Sequence, residues 1–212
     1  MRAPLIALSC LVALPASAEF ELSVYLGTQS APHSRIEGEN ANGEFDQLIE
    51  WEGKPFEAPP YYGIRAMWWT SDTLGFGVEL NHTKVYGDED DLRDAGFETL
   101  ELTDGLNIIT ANVFRRFPDA WGPFTPYIGG GLGVAVPHVD AEDGENDTFE
   151  YQLTGPAAMV LAGVSYDINE TWGVFGEYKA TYSSNEADLD GGGTLETDIV
   201  TNALNFGISY SF

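Results

Sequence analysis

Three histidines, His33, His82 and His138, are the only imidazoles in the 212 residues, so imidazole acid-base or ligand chemistry runs through one of them. Two share a context. Ala31-Pro32-His33 and Val136-Pro137-His138 each set the ring directly after a proline that fixes the local backbone. Carboxylates recur near them in sequence or along the same pattern of loops: Glu52, Asp104, Glu150, Glu186, Asp188, Glu196 and Asp198. Imidazole with carboxylate is a mixed ligand set for a divalent transition metal, and carboxylates alone suit calcium or magnesium. The other chemistry open to these residue types is hydrolysis, with a histidine activating Ser34 or Ser183. His33 and Ser34 do not make such a pair by adjacency, because neighbours on an extended chain point to opposite faces.

Several chemistries are excluded. The single cysteine, Cys10, falls in a leader: Arg2, an apolar run from Ala3 to Leu14, then Pro15-Ala16-Ser17-Ala18 predict cleavage before Glu19. Residues 19–212 then hold no thiol and no disulfide. No serine-hydrolase elbow, no zinc-protease motif and no nucleotide loop after a strand is present. Gly191-Gly192-Gly193 is followed by no helix whose N-terminus would hold a phosphate, so it reads as a turn, and no nucleotide cofactor is expected. Nine Lys and Arg stand against 34 Asp and Glu, a formal charge of −25, and loss of Arg2 with the leader makes it −26. Nucleic acid is excluded as a partner by that charge, whereas divalent cations are attracted.

The elements that would position these residues are short alternating strands. No run of 18 apolar residues follows the leader, so no spanning helix is expected. The last strand is the clearest: Val200, Leu204, Phe206, Ile208, Tyr210 and Phe212 alternate with Thr201, Ala203, Asn205, Gly207, Ser209 and Ser211. The same period of two marks strands over 20–29, 61–69, 74–86, 125–136, 152–166 and 172–182, and a further strand is expected over 105–117 with its two faces unassigned. Four long loops alternate with three short turns at 70–73, 118–123 and 167–170. Long connections at one end and short ones at the other predict an all-β, eight-stranded antiparallel transmembrane β-barrel in the outer membrane, with four long extracellular loops. Arg65 and Lys179 against Glu21, Glu79 and Glu177 predict a lumen plugged by ion pairs, not a channel. The three histidines then fall near the outer ends of strands one, three and five. His82 lies on the lipid-facing side of its strand and is the weakest of them.

Particular segments resemble a known family. Ala31-Pro32-His33-Ser34, Trp51-Glu52-Gly53-Lys54, Pro59-Pro60-Tyr61-Tyr62-Gly63, Thr103-Asp104-Gly105-Leu106-Asn107-Ile108-Ile109-Thr110, Pro137-His138-Val139, Tyr151-Gln152-Leu153-Thr154-Gly155-Pro156 and the run from Asn185 to Asn205 look like the outer-membrane lipid A oxidases of alphaproteobacteria. The likeness covers nearly all of residues 19–212. It implies an oxidoreductase that modifies lipopolysaccharide, converting the proximal glucosamine of lipid A to 2-aminogluconate. Molecular oxygen is the implied co-substrate, hydrogen peroxide the by-product, and divalent metal cations assist. The rim set expected to act is His33, His138 and Glu150 as acid-base or ligand groups. Glu186, Asp188, Glu196 and Asp198 are the expected cation site. A monomer is expected. Two further readings stay open, a non-enzymatic scaffold or adhesin barrel and a lipid A deacylase with a Ser-His-acid cluster.

Overall fold

The computed structural model describes residues 19–212 without the side chains at 103 and 104; the leader assigned to 1–18 lies outside the described residues. In chain order the elements are β1 (Glu19–Ser30), β2 (Ser34–Asn40), β3 (Gly43–Ile49), β4 (Trp51–Glu52), β5 (Tyr62–Trp69), β6 (Leu74–Gly87), α1 (Glu89–Asp94), β7 (Thr99–Arg116), β8 (Phe124–Glu142), β9 (Asp147–Tyr151), β10 (Gly155–Asp167), β11 (Trp172–Leu189) and β12 (Gly193–Ser211). Eight of them, β1, β5, β6, β7, β8, β10, β11 and β12, pair antiparallel in that order and close through β12 onto β1. One row of paired residues runs Ile199, Ser183, Ala157, Gly133, Thr110, Glu79, Arg65, Ser23, Ser209 and so returns to β12 ten residues along. A shear of ten on eight strands corresponds to a strand tilt of about 40°.

Closure leaves each strand one face for lipid and one for the lumen. Leu204, Phe206 and Ile208 are exposed on the outside of β12, as are Phe76 and Val78 on β6 and Leu132 and Val134 on β8. At the periplasmic end Phe20 packs on Trp68 and on Phe212, whose ring also meets Tyr210. Trp69, by contrast, points inward and is buried under Arg116. The wall residue that follows an outward-facing Trp68 must face in, so the pair Trp68-Trp69 splits between the two surfaces.

Inside, Arg65 reaches Glu177 through two nitrogens, at 2.7 and 3.0 Å, and also bonds Glu79. Lys179 contacts Glu79 and lies 3.5 Å from Glu177. Tyr25 donates to Glu79, while Tyr127 and Asn205 donate to Glu177. Two cations and two anions therefore fill the middle of the lumen; Glu21, expected among them, instead accepts from Ser23 and faces the space below. Below them a cavity of about 600 Å³ opens at the periplasmic end, with Glu19, Glu21, Arg116 and Trp69 among its lining.

The extracellular half departs from the expected long loops. The segment 30–60 contains the β2–β3 hairpin, which continues the wall beyond β1 by pairing β2 with β12. The expected loop 137–147 is mostly strand, since β8 runs to Glu142 and β9 pairs back on it. The glycine-rich acidic run is likewise strand up to a tight turn at 190–192. Strand pairing continues because each of these segments can bury an apolar inner face. Ile36, Phe45, Ile49, Trp51, Leu92, Phe97, Leu100 and Val139 form one dry core inside the extended barrel. The loops read as polar because only their outer faces carry charge.

The tip of the β2–β3 hairpin crosses this core and is fastened on two sides. Asn40 and Asn42 donate to the carbonyls of Ala95 and Gly96 after α1, and the Asp143 carboxylate accepts from the backbone of Ala41, Glu145 and Asn146 at 2.8–3.1 Å. Burial opposes the charge of Asp143, yet these backbone donors outweigh it and hold its pKa below the usual carboxylate range. The bonds therefore stabilise the tip above an unfolded pKa of about 4 and are lost as pH falls through the lower folded value. Amide exchange at Ala41, Glu145 and Asn146, corrected for its intrinsic pH dependence, is expected to stay slow at neutral pH and to rise in that acid window. In Asp143→Asn the acid step should be absent.

Candidate functional site

On the outer wall of β6 and β7 the apolar belt ends at Leu80 and Ile109, and polar side chains begin at the next row. His82 on β6 stands opposite Asn107 on β7, which stands opposite Val136 on β8. The His82 Nδ1 lies 3.0 Å from the Asn107 Oδ1, and the Asn107 amide donates to the Val136 carbonyl. The Tyr62 ring stacks on the imidazole at 4.8 Å. His82 is thus buried although it faces outward, at 4% exposure.

His138 follows two residues above Val136 on the same face. Phe149 and Tyr151 of β9 meet its ring edge-on, with centroids at 4.3 and 4.8 Å. Its Nδ1 is buried with no hydrogen-bond partner among the described residues. Between the two histidines β7 breaks its register from Leu102 to Leu106, which sets the backbone of 103–105 beside them. Gly105 sits there at φ +112, and a Cβ would fall 2.4 Å from the His82 Nδ1 and 2.5 Å from the Asn107 Oδ1. Gly105→Ala should therefore cost about 1–3 kcal/mol and displace Asn107 from His82. Chemical unfolding and the His82 ring resonances would report both effects.

The expected site residues are dispersed. His33 is exposed and pairs with Glu50 at 3.3 Å. It follows β1, which lies four strands from β8 in either direction round the ring, so His33 and His138 are on opposite sides. Glu150 pairs with Val139 while His138 pairs with Tyr151, so Glu150 leaves the opposite face of β9 from the one that covers His138. The three do not meet. Ser34 is occupied by Thr197 and by the Trp51 indole, and Ser183 is sealed inside the wall. Neither serine is bonded to His33 or His138.

The four acidic residues expected to hold a cation do share a surface. Glu186 pairs directly with Glu196, and Asp188 and Asp198 flank them on the outer face of the β11–β12 hairpin. All four are exposed, and no group of three His, Asp or Glu is gathered closely enough to hold a metal ion among the described residues. The donor set fits diffuse attraction of cations and does not fit an enclosed metal site, which needs several oxygens converging on one point. Asp104 lies in the β7 bulge, with its side chain outside the described residues.

His82 is more enclosed than a lipid-facing position implies, and Asn107, not among the expected site residues, is its partner. The signal was available in the break of alternation across Thr103-Asp104-Gly105-Leu106-Asn107, a glycine-bearing interruption of the kind that marks a bulge. It left the faces of that strand unassigned, and so hid that Asn107 shares the outer surface with His82.

The closed ring, the lipid-facing belt and the polar patch at its upper edge define an eight-stranded outer-membrane barrel. The chain belongs to the family described as outer membrane protein beta-barrel domain, whose model matches residues 3–212. The solved structure of Neisserial surface protein A is similar, with 18% identity, a TM-score of 0.52 and 91% of this chain and 97% of that one covered. OprG of Pseudomonas aeruginosa is similar at 11% identity and a TM-score of 0.56, with 92% and 96% covered. These likenesses concern the fold. A search of the curated proteins found no match.

Proposed function

We propose that this barrel is an oxidoreductase acting on lipid A in the outer leaflet, converting its proximal glucosamine to 2-aminogluconate with molecular oxygen. One observation supports this reading above the others. Segments that carry the resemblance to lipid A oxidases are far apart in sequence, yet Tyr62, Asn107, His138 and Tyr151 converge on a single outward patch. That patch begins where the apolar belt stops, at the level of lipid headgroups. Aromatic rings offer a flat surface for the C–H face of a sugar, and the imidazole beside them is a proton acceptor.

In this reading the substrate is lipid A whose proximal glucosamine carries a free hydroxyl at C1, and a histidine takes the proton of that hemiacetal hydroxyl. The C1–H and O–H bonds break, and oxygen receives two electrons and two protons as hydrogen peroxide. Water then opens the lactone to the acid. Divalent cations enter as bridges between the exposed carboxylates of Glu186, Asp188, Glu196 and Asp198 and the phosphates of lipid A, with no chemical step routed through them. A non-enzymatic barrel is the second reading, compatible with the barrel family to which the chain belongs. The deacylase reading lacks a bonded serine and histidine in this geometry.

Mass spectrometry of lipid A with a free C1 hydroxyl, incubated with the purified protein, separates the three. Gain of one oxygen atom in air but not under argon is the outcome expected here. Unchanged lipid A in aerated, magnesium-replete samples would sink the oxidase, and loss of an acyl chain would favour the deacylase.

A further inference from the structure

β9 carries the two rings that cover His138, and it is held very differently along its two edges. On one side it pairs with β8 through the backbone, from Glu142 opposite Asp147 to His138 opposite Tyr151. On the other side it faces β11 without pairing as a strand. There the connection is made beside Tyr151 by one side chain. The Gln152 Nε2 donates to the Asp188 carbonyl at 2.8 Å, and the Asp188 N–H donates to the Gln152 Oε1 at 2.9 Å. A side-chain amide thus reproduces the donor-acceptor pair that a backbone peptide would supply in a ladder. Farther along, the Asp190 N–H bonds the Thr148 hydroxyl and the Glu186 N–H bonds the Thr154 carbonyl, which bracket the clasp at both ends.

We propose that Gln152 is a positioning residue: its two-way clasp on Asp188 fixes Phe149 and Tyr151 over His138 and so keeps the imidazole covered. The proposal deepens the oxidase reading and rests on it for the purpose of that cover. The clasp itself is independent of turnover. Its backbone N–H is already committed to the Pro137 carbonyl, so main chain and side chain of one residue tie β8 to β11 directly next to the roof. Without the side-chain pair, the β9 edge keeps its β8 ladder, the two bracketing bonds and, beyond Gln152, the bond from the Thr154 hydroxyl to the Asn185 Oδ1 at 2.8 Å. Local opening then uncovers His138 without unfolding the ring.

Diethyl pyrocarbonate modification, mapped by mass spectrometry on the folded full-length protein in detergent, tests this without any activity measurement. Exposed His33 serves as the fast reference and buried His82 as the slow one. Gln152→Ala and Gln152→Met are both expected to raise the His138 rate roughly tenfold, the loss of two hydrogen bonds, while His82 stays slow. The methionine variant keeps length and bulk, so its fast rate would assign the effect to the hydrogen bonds. An unchanged His138 rate in both variants, a wild-type rate in the methionine variant, or an equal rise at His82 would overturn the proposal. Lipid A left unmodified by a wild-type protein whose clasp behaves as described would refute the oxidase reading alone.

Discussion

Replacing Arg65 with methionine is expected to remove about 3–5 kcal/mol from the stability of the folded barrel. Arg65 hydrogen-bonds both Glu79 and Glu177, the latter through two nitrogens, and its side chain is only 4% exposed. Removing it leaves two buried carboxylates to share Lys179, with Tyr25, Tyr127 and Asn205 as neutral donors. An uncompensated charge in a low-dielectric lumen is far more costly than a missing pair of apolar contacts. Arg65→Met combined with Glu177→Gln should recover much of the loss, because the remaining Glu79 and Lys179 balance. Urea unfolding in lipid vesicles, followed by tryptophan fluorescence, measures both variants. A loss below about 1 kcal/mol for the single variant, the range of a surface ion pair, would show that the cluster is solvated and the lumen open.

The second large effect belongs to His138. If its imidazole is the proton acceptor, His138→Gln should lower the rate of lipid A oxidation by 100-fold or more, in the range of about 10²–10⁴ for general acid-base catalysis. Glutamine keeps a polar side chain of similar length under Phe149 and Tyr151, so the fold and the urea midpoint should change little. His33→Gln is the matched control. His33 is exposed on the far side of the ring beside Glu50, and its loss should leave the rate within about twofold of wild type, as expected for a group remote from the chemistry. Equal losses in the two variants would remove the outer patch between β6 and β9 as the place of reaction.

The barrel was legible because lipid on one side and a narrow lumen on the other force a strict period of two. Val200 to Phe212 shows that period plainly, and the inward Arg65, Glu79, Glu177 and Lys179 fall where it puts them. The extracellular extension was not legible. Ile36, Phe45 and Ile49 are isolated apolar residues among acids and glycines, and they become a core only when β12, α1 and β8 surround them.

The candidate patch was only partly legible. His138 was singled out for its proline, and the structure gives a different ground, the Phe149 and Tyr151 cover and a buried, unpartnered Nδ1. Its expected companions were chosen by sequence neighbourhood at the rim. Ring order separates His33 by four strands, and strand alternation turns Glu150 away. His82 was discounted as a lipid-facing residue, which overlooked that Tyr62 and the Gly105 bulge could bury an outward side chain.

Isotope tracing of the reaction tests the central claim most directly. Purified protein is supplied with lipid A bearing a free C1 hydroxyl under heavy-isotope oxygen gas in ordinary water, and both products are weighed. Oxidation at the C1 hemiacetal should put the label into hydrogen peroxide, leave the new oxygen of 2-aminogluconate unlabelled because it comes from water, and yield the two products in equal amounts. Lipid A recovered unchanged, or changed with no peroxide formed, would contradict it.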